Sequence, residues 1–382
     1  MKVLKQWAEL ETPFYAYDRQ VLHHALQRAK TAAEKRNYHV HYALKANAEA
    51  NLLQSIVEMG FGADCVSGQE VECAVESGFA AEKIVFAGVG KSDREIRYAL
   101  ENDIYCFNCE SLQELEVIDQ LAASMGKVAR VALRINPDVD PNTHRYITTG
   151  LEENKFGINV WQLEETLARL QTLNALQLEG LHFHIGSQIT DLSAFRNLCT
   201  RVNEIQRWFF DRQIVPNHVN LGGGLGIDYD RPAASDDPDF EAYFSIFERF
   251  LEPRPHQSIH FELGRALVGH CGALISKVLY VKPGIKTDFV ILDAGMTELI
   301  RPALYQAYHR IENLSKSGQP IAPKKYDVVG PICESSDCFG KAVELPQTER
   351  GDWVAIHTAG AYGQVMASRY NLRPFVPAVW TD

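Results

Sequence analysis

No stretch of this chain approaches the ~18 uninterrupted apolar residues that a membrane-spanning helix requires. The opening, MKVLKQWAELETPF, lacks the long apolar core of a secretion signal. Cysteine is sparse, with 8 residues scattered over 382, which excludes a dense disulfide framework and is read as reduced thiols in the cytoplasm. Cys106 and Cys109 do form a C-x-x-C in CFNC, but the second half of a zinc site is missing and the pair does not open a helix as a redox motif does. Both are read as buried structural thiols, and no metal is expected. Positive charge is in deficit too: the formal net charge is −11, the wrong sign for a nucleic-acid partner. Short repeats, low-complexity tracts and a G-x-G-x-x-G fingerprint after the first strand are all absent. The remaining composition, 46% hydrophobic and 23% charged, is that of an ordinary globular protein whose natural partner is a small molecule.

What is present is a rhythm. Short apolar runs, YHVHYALK (38–45), FGADCV (61–66), KIVFAG (83–88), DIYCFN (103–108), VARVALRI (128–135), LEGLHFH (178–184), NHVNLG (217–222) and SIHFE (258–262), alternate with amphipathic stretches such as NLLQSIVEMG and SLQELEVIDQLAASMG. Strands alternating with helices imply parallel strands and right-handed crossovers, and eight such units are the count of a (β/α)₈ barrel. After about residue 268 the texture changes to strand-like runs parted by Gly and Pro, as in TDFVILDAG and GDWVAIHTAGAYG. The chain is therefore expected to hold a barrel over 18–268 and an all-β domain over 269–382, joined by the strand-like opening segment 1–17. DRPAASDDPD (230–239) is read as a polar loop.

Active sites of such barrels lie at the C-terminal ends of the strands. Those ends carry Lys45, Asp64, His184, Gly222, Gly223 and Gly224, and Glu262 with Arg265. Taken singly, each has an ordinary explanation: a solvated strand-end lysine, a core histidine, a turn. Together their chemistry converges. A glycine run exposes backbone N–H groups to an anion, so LGGGLG reads as a phosphate cradle to which Ser187 can add a hydroxyl. A lysine in a partly dry mouth is a nucleophile toward aldehydes. Glu262 offers a carboxylate to a basic ring nitrogen, and His184 a flat surface for the ring. Phosphate, aldehyde and pyridine nitrogen together describe pyridoxal phosphate.

The motifs YALKAN, GADCVSGQE, ENKFGI, GLHFHIGSQ, NLGGGLGI, ELGR, DAGMTELIRPALYQAYH, GPICESSD and AGAYGQVMASRYN extend this reading over roughly residues 12 to 375. In them the chain resembles the fold-type III pyridoxal-phosphate decarboxylases, and among these the branch that converts meso-diaminopimelate to L-lysine and carbon dioxide, the last step of lysine biosynthesis. The resemblance implies that Lys45 holds the cofactor as a Schiff base, that His184 stacks on its ring, and that Glu262 keeps its nitrogen protonated. Asp64, Ser187, Gly222 to Gly224, Gly264, Arg265 and Tyr362 are implied to surround it. Arg301 and Tyr305 of IRPALY, with Arg265 and Tyr362, are implied to bind substrate. Cys333 and Glu334 of CES are implied to reach the active site of a partner subunit in a homodimer, with Cys333 or Lys45 as proton donor. Lys155 is implied to pair with Asp337 of the other chain. The pattern departs at Leu263, Ser336 and Arg369, where proline, glycine and asparagine are usual. The alternatives are a decarboxylase of another basic amino acid or of carboxynorspermidine, and a non-catalytic pyridoxal-phosphate-binding protein.

Overall fold

The computed structural model describes residues 7–139, 155–232, 236–319 and 322–381. The start of the opening segment (1–6), Glu153 and Asn154 of ENKFGI, and residues 233–235 of the polar loop lie outside the described residues. The chain divides into two compact units: Ala25–Ile227 with Pro238–Leu267, and Met1–His24 with Asp228–Asp237 and Val268–Asp382.

Strand β1 (Phe14–Asp18) opens the described chain and belongs to the second unit. The first unit is built on β2 (Tyr38–Ala43), β3 (Gly62–Cys65), β4 (Ile84–Phe86), β5 (Cys106–Cys109), β6 (Ala129–Asn136), β8 (Leu176–His182), β9 (His218–Asn220) and β10 (Ser258–Leu263). Each of the eight apolar runs has become one of these strands. A two-residue β7 (Ile158–Asn159) adds to β6. All pairings are parallel, β2 closes on β10, and β5 pairs β6, so the ring of eight strands is complete. The strands are buried almost throughout, as a sheet covered by helices requires. Helix starts follow the strand ends closely because the caps are written locally. Ser67, Ser92 and Ser111 accept from the backbone N–H of Glu70, Glu95 and Glu114, and Ser92 with Glu95 forms a full capping box.

The second unit is an eight-stranded sheet of β1 with β11 (Gly272–Lys282), β12 (Asp288–Leu292), β13 (Ile311–Asn313), β14 (Lys324–Val329), β15 (Cys338–Leu345), β16 (Trp353–Ile356) and β17 (Ala378–Thr381). β1 runs antiparallel to β11 and parallel to β17. The division is not a single cut near residue 268, because Asp228–Asp237 groups with this sheet unit. Asp230 accepts from the Tyr308 hydroxyl (3.0 Å) and Asp237 from His270 (2.6 Å), which ties the segment there. Among the described residues no helix is long and apolar enough to cross a membrane.

Below its C-terminal mouth the barrel interior is unexpectedly rich in imidazole. His41 Nε2 and His260 Nδ1 are 2.8 Å apart, the His218 and His260 rings lie 4.9 Å centre to centre, and Tyr105 bonds His218 Nδ1 at 3.1 Å. Gly180 is obligatory here, since a Cβ would stand 2.1 Å from His218 Nε2. Burial is the main force pushing these imidazoles down, His41 to about 4 and His218 to about 3, with His260 also well below its ordinary value. Unfolded histidine takes up its proton near ~6.5, so below that pH the unfolded chain binds more protons than the folded one and stability falls. Asp64, which burial and then Glu262 hold above the usual carboxylate range, acts in the opposite direction, as do Glu70 and Asp337. They stand against five imidazoles once His39 and His184, also pushed down by burial, are included. The melting temperature is therefore expected to drop steeply between about pH 6.5 and 4.5. A scanning-calorimetry series with a flat melting temperature across that window would show that these rings are not held neutral.

Candidate active site

Lys45 lies in the single 3₁₀ turn Leu44–Ala46 directly after β2, which puts its amine at the C-terminal mouth. Its Nζ donates to Asp64 Oδ2 at 2.8 Å, and its side chain is 36% exposed while that of Asp64 is fully buried. One end of the ion pair is thus fixed by the barrel wall and the other remains reachable. Asp64 Oδ1 is buried without a hydrogen-bond partner among the described residues.

Across the mouth, Glu262 ends β10 and is buried. Its Oε1 accepts from Asn220 Nδ2 (2.7 Å) and Asn108 Nδ2 (3.0 Å), and its Oε2 lies 2.9 Å from His182 Nε2. Burial alone would push this carboxyl up, but His182, followed by Lys45, holds it well below the usual carboxylate range. His184, two residues beyond His182, accepts the Gly223 N–H on Nδ1 at 3.2 Å. Burial first, then Arg134 and Lys45, keeps its imidazole well below the ordinary value, so the ring is neutral.

The glycine run is required by space and by backbone conformation together. A Cβ on Gly223 would stand 1.9 Å from the Glu262 carbonyl, and one on Gly222 2.4 Å from the Phe183 carbonyl. Gly222 and Gly224 have φ of +65° and +105°. Gly264 would meet Ala46 at 2.9 Å. Buried Arg265 donates to Ser187 Oγ at 3.1 Å, placing a guanidinium and a hydroxyl together in the same unit. The Gly222 and Gly223 N–H groups are given to Asn220 Oδ1 and His184 Nδ1. The donors an anion meets beside the side-chain-free glycine run are therefore the Arg265 guanidinium and the Ser187 hydroxyl. Lys45 is an amine for an aldehyde; Glu262 is an anion for a protonated ring nitrogen. The residues fit pyridoxal phosphate.

The sheet unit carries the other expected residues. Arg301 is buried, donates to His309 Nε2 at 2.9 Å and lies over the Tyr229 ring. His309 Nδ1 faces the His357 carbonyl at 2.9 Å, which fixes its proton on Nδ1. Tyr305 ends the same short helix, Arg301–Tyr305, and Tyr362 is half-buried with φ of +56°. Cys333 is exposed, its N–H donating to Asn371 Oδ1, and Glu334 accepts from the Tyr370 hydroxyl at 2.7 Å. Asp337 is 4% exposed, and its oxygens accept the N–H groups of Met296 (2.6 Å) and Ile332 (2.7 Å), so it shapes its own loop. Cys106 and Cys109 are buried thiols.

Sequence reading passed over His182, Asn108 and Asn220. The available signal was the period of two: each lies two residues before another inward position or ends an otherwise apolar run, where a buried polar side chain needs a partner. It also missed Arg134, which bonds Glu110 at 2.6 Å and covers the Phe156 ring of KFG.

An amine, an anion cradle and a buried carboxylate on one parallel barrel define the pyridoxal-phosphate class. Consistent with that, residues 19–269 match the family model described as pyridoxal-dependent decarboxylase, pyridoxal binding domain. A diaminopimelate decarboxylase of Bacteroides thetaiotaomicron is 56% identical over 99% of this chain and 98% of its own length. One of Neisseria meningitidis is 42% identical over 97% of this chain and 90% of its own. The crystal structure of Helicobacter pylori diaminopimelate decarboxylase complexed with L-lysine superposes with a TM-score of 0.92 at 38% identity, covering 100% of this chain and 94% of that one. The chain belongs to the diaminopimelate decarboxylase family, as the motif resemblance indicated.

Proposed function

We propose that this protein removes carbon dioxide from meso-2,6-diaminopimelate to give L-lysine, acting as a cytoplasmic homodimer. The observation that carries the substrate is the end-to-end identity of 56% with a relative of that name; the barrel mouth carries the chemistry. Pyridoxal phosphate supplies the electron sink for the pair left behind when the carboxylate departs. Lys45 would hold its aldehyde carbon, with Asp64 steadying the amine. Gly222, Gly223, Gly224, Gly264, Ser187, Arg265 and Tyr362 would hold its phosphate, His184 its ring face and Glu262 its nitrogen. Loss of the carboxylate leaves the substrate carbon one proton short, and Cys333 or Lys45 would return it. Arg301 and Tyr305 would bind the substrate's remaining carboxylate, since a planar guanidinium suits bidentate recognition, and Glu334 would read the distal ammonium. All eight cysteines are free thiols, which supports a reducing compartment. The direct test is lysine and carbon dioxide formation from meso-diaminopimelate beside ornithine and arginine controls. No lysine formed by the cofactor-loaded protein would refute the reading.

The CES segment supports a shared site, because it sits in the sheet unit, remote in sequence from Lys45. Mixing inactive Lys45→Ala subunits with inactive Cys333→Ala subunits is expected to restore part of the activity through hybrid dimers carrying one intact site. Absence of recovery, with subunit exchange shown by mass spectrometry, would place both residues in the site of one chain.

A further inference from the structure

Glu262 is unusual among the site residues in having its surroundings fully defined. Three side chains put nitrogens against it from three other strands: the amides of Asn108 on β5 and Asn220 on β9 donate to Oε1, and His182 Nε2 on β8 lies 2.9 Å from Oε2. All three are essentially inaccessible, at 0%, 1% and 0% exposure. Asn220 does double duty, since its Oδ1 accepts the Gly222 N–H at 2.9 Å and so links the carboxylate to the glycine cradle.

The chemistry needs such an arrangement. A carboxyl buried in a barrel interior ordinarily takes up a proton, because burial penalises the charged form. Protonated, Glu262 could at best donate a neutral hydrogen bond to a ring nitrogen, and the ring would lack the positive charge that draws electrons from the breaking bond. A carboxylate that accepts two or three hydrogen bonds is a much weaker base. The proton between it and the ring then belongs to the ring.

We propose that His182, Asn108 and Asn220 act as a positioning set that keeps Glu262 ionised and so places the shared proton on the cofactor's ring nitrogen. This rests on the reading that the ring nitrogen meets Glu262. The other ionisable groups facing Glu262 are Lys45 after β2, Asp64 on β3, His41 on β2, His184 after β8, His218 on β9 and Cys106 on β5. His41, His184 and His218 are held neutral by burial, Cys106 stays a thiol and Asp64 is paired with Lys45, so near neutral pH the set of three, with the Lys45–Asp64 pair, decides the state of the carboxyl.

The test uses the full-length holoenzyme and four variants, His182→Phe, His182→Gln, Asn108→Leu and Glu262→Gln. Infrared difference spectra against Glu262→Gln report whether the Glu262 carboxyl carries a proton, and kcat is followed against pH. Wild type should show carboxylate at neutral pH. His182→Phe should show the protonated acid, lose roughly ten- to a hundredfold in kcat, and move the acid limb of the kcat profile up by more than about two pH units, toward neutrality. His182→Gln, which keeps an N–H near the Nε2 position on a neutral amide, should restore carboxylate and most of the rate. Asn108→Leu should move the same limb by less, and it decides the question if His182→Phe does not fold. An unprotonated Glu262 and an unmoved limb in the folded variants would overturn the positioning set. If instead Glu262→Gln itself keeps kcat within about threefold, the electron-sink role of Glu262 falls first.

Discussion

Replacing Lys45 by alanine is expected to cost at least ~10³-fold in turnover and to leave no cofactor fixed to the chain by borohydride. The reason is local. Lys91 also lies near a strand end, but its Nζ is bonded to the carbonyls of Gly88 and Asn108 (2.9 Å each) and to Glu114 (2.5 Å), and its side chain is 1% exposed. An amine so committed cannot attack an aldehyde. Lys155 lies over its neighbour Phe156 beside the short β7, away from the glycine cradle in sequence and in strand order. Lys45 has a carboxylate to aim it and about a third of its side chain reachable. Peptide mapping after borohydride reduction of the wild type should therefore find the pyridoxyl group on Lys45. Recovery on Lys91 or Lys155 would move the reactive amine and, with it, the whole barrel-mouth assignment.

The wild type is expected to prefer meso-diaminopimelate over ornithine, arginine and lysine by at least ~10³-fold in kcat/KM. An ornithine-type substrate ends in an ammonium alone, whereas meso-diaminopimelate ends in an ammonium and a carboxylate on one carbon. A site for the latter needs a fixed cation, and Arg301 is buried with its guanidinium held by His309 and the Tyr229 face. A substrate without the second carboxylate would give the guanidinium no bidentate partner, and with it would go the binding that favours meso-diaminopimelate. Arg301→Ala should narrow the preference mainly by slowing meso-diaminopimelate, with ornithine changed little. Comparable wild-type rates on ornithine or arginine would leave the decarboxylase chemistry standing and remove the named substrate.

The strands were legible because a buried parallel strand must be nearly all apolar and its covering helix must not be, so each of the eight runs announces itself within a few residues. The mouth was legible for a related reason. Lys45, Asp64, His184, Gly222 to Gly224 and Glu262 end strands or follow them, and in this architecture a strand's end has one address. Caps such as Ser92 with Glu95 fixed the helix starts from residues three apart.

The neighbours of those residues were decided elsewhere. Asn108 and Glu262 are 154 positions apart and meet because the ring of strands closes. Alternation says that both point inward; it does not say which polar side chain stands opposite which. The same holds for Asp337, whose acceptance of the Met296 and Ile332 N–H groups no motif announces. A loop's unpaired N–H groups must find acceptors, and which carboxylate supplies them depends on where the returning chain passes. Sequence by itself therefore determined the barrel, the sheet unit and the chemical types at the mouth, all set by short-range pattern. Only the tertiary structure decided which buried dipoles surround the Glu262 carboxylate, and the charge it carries follows from them.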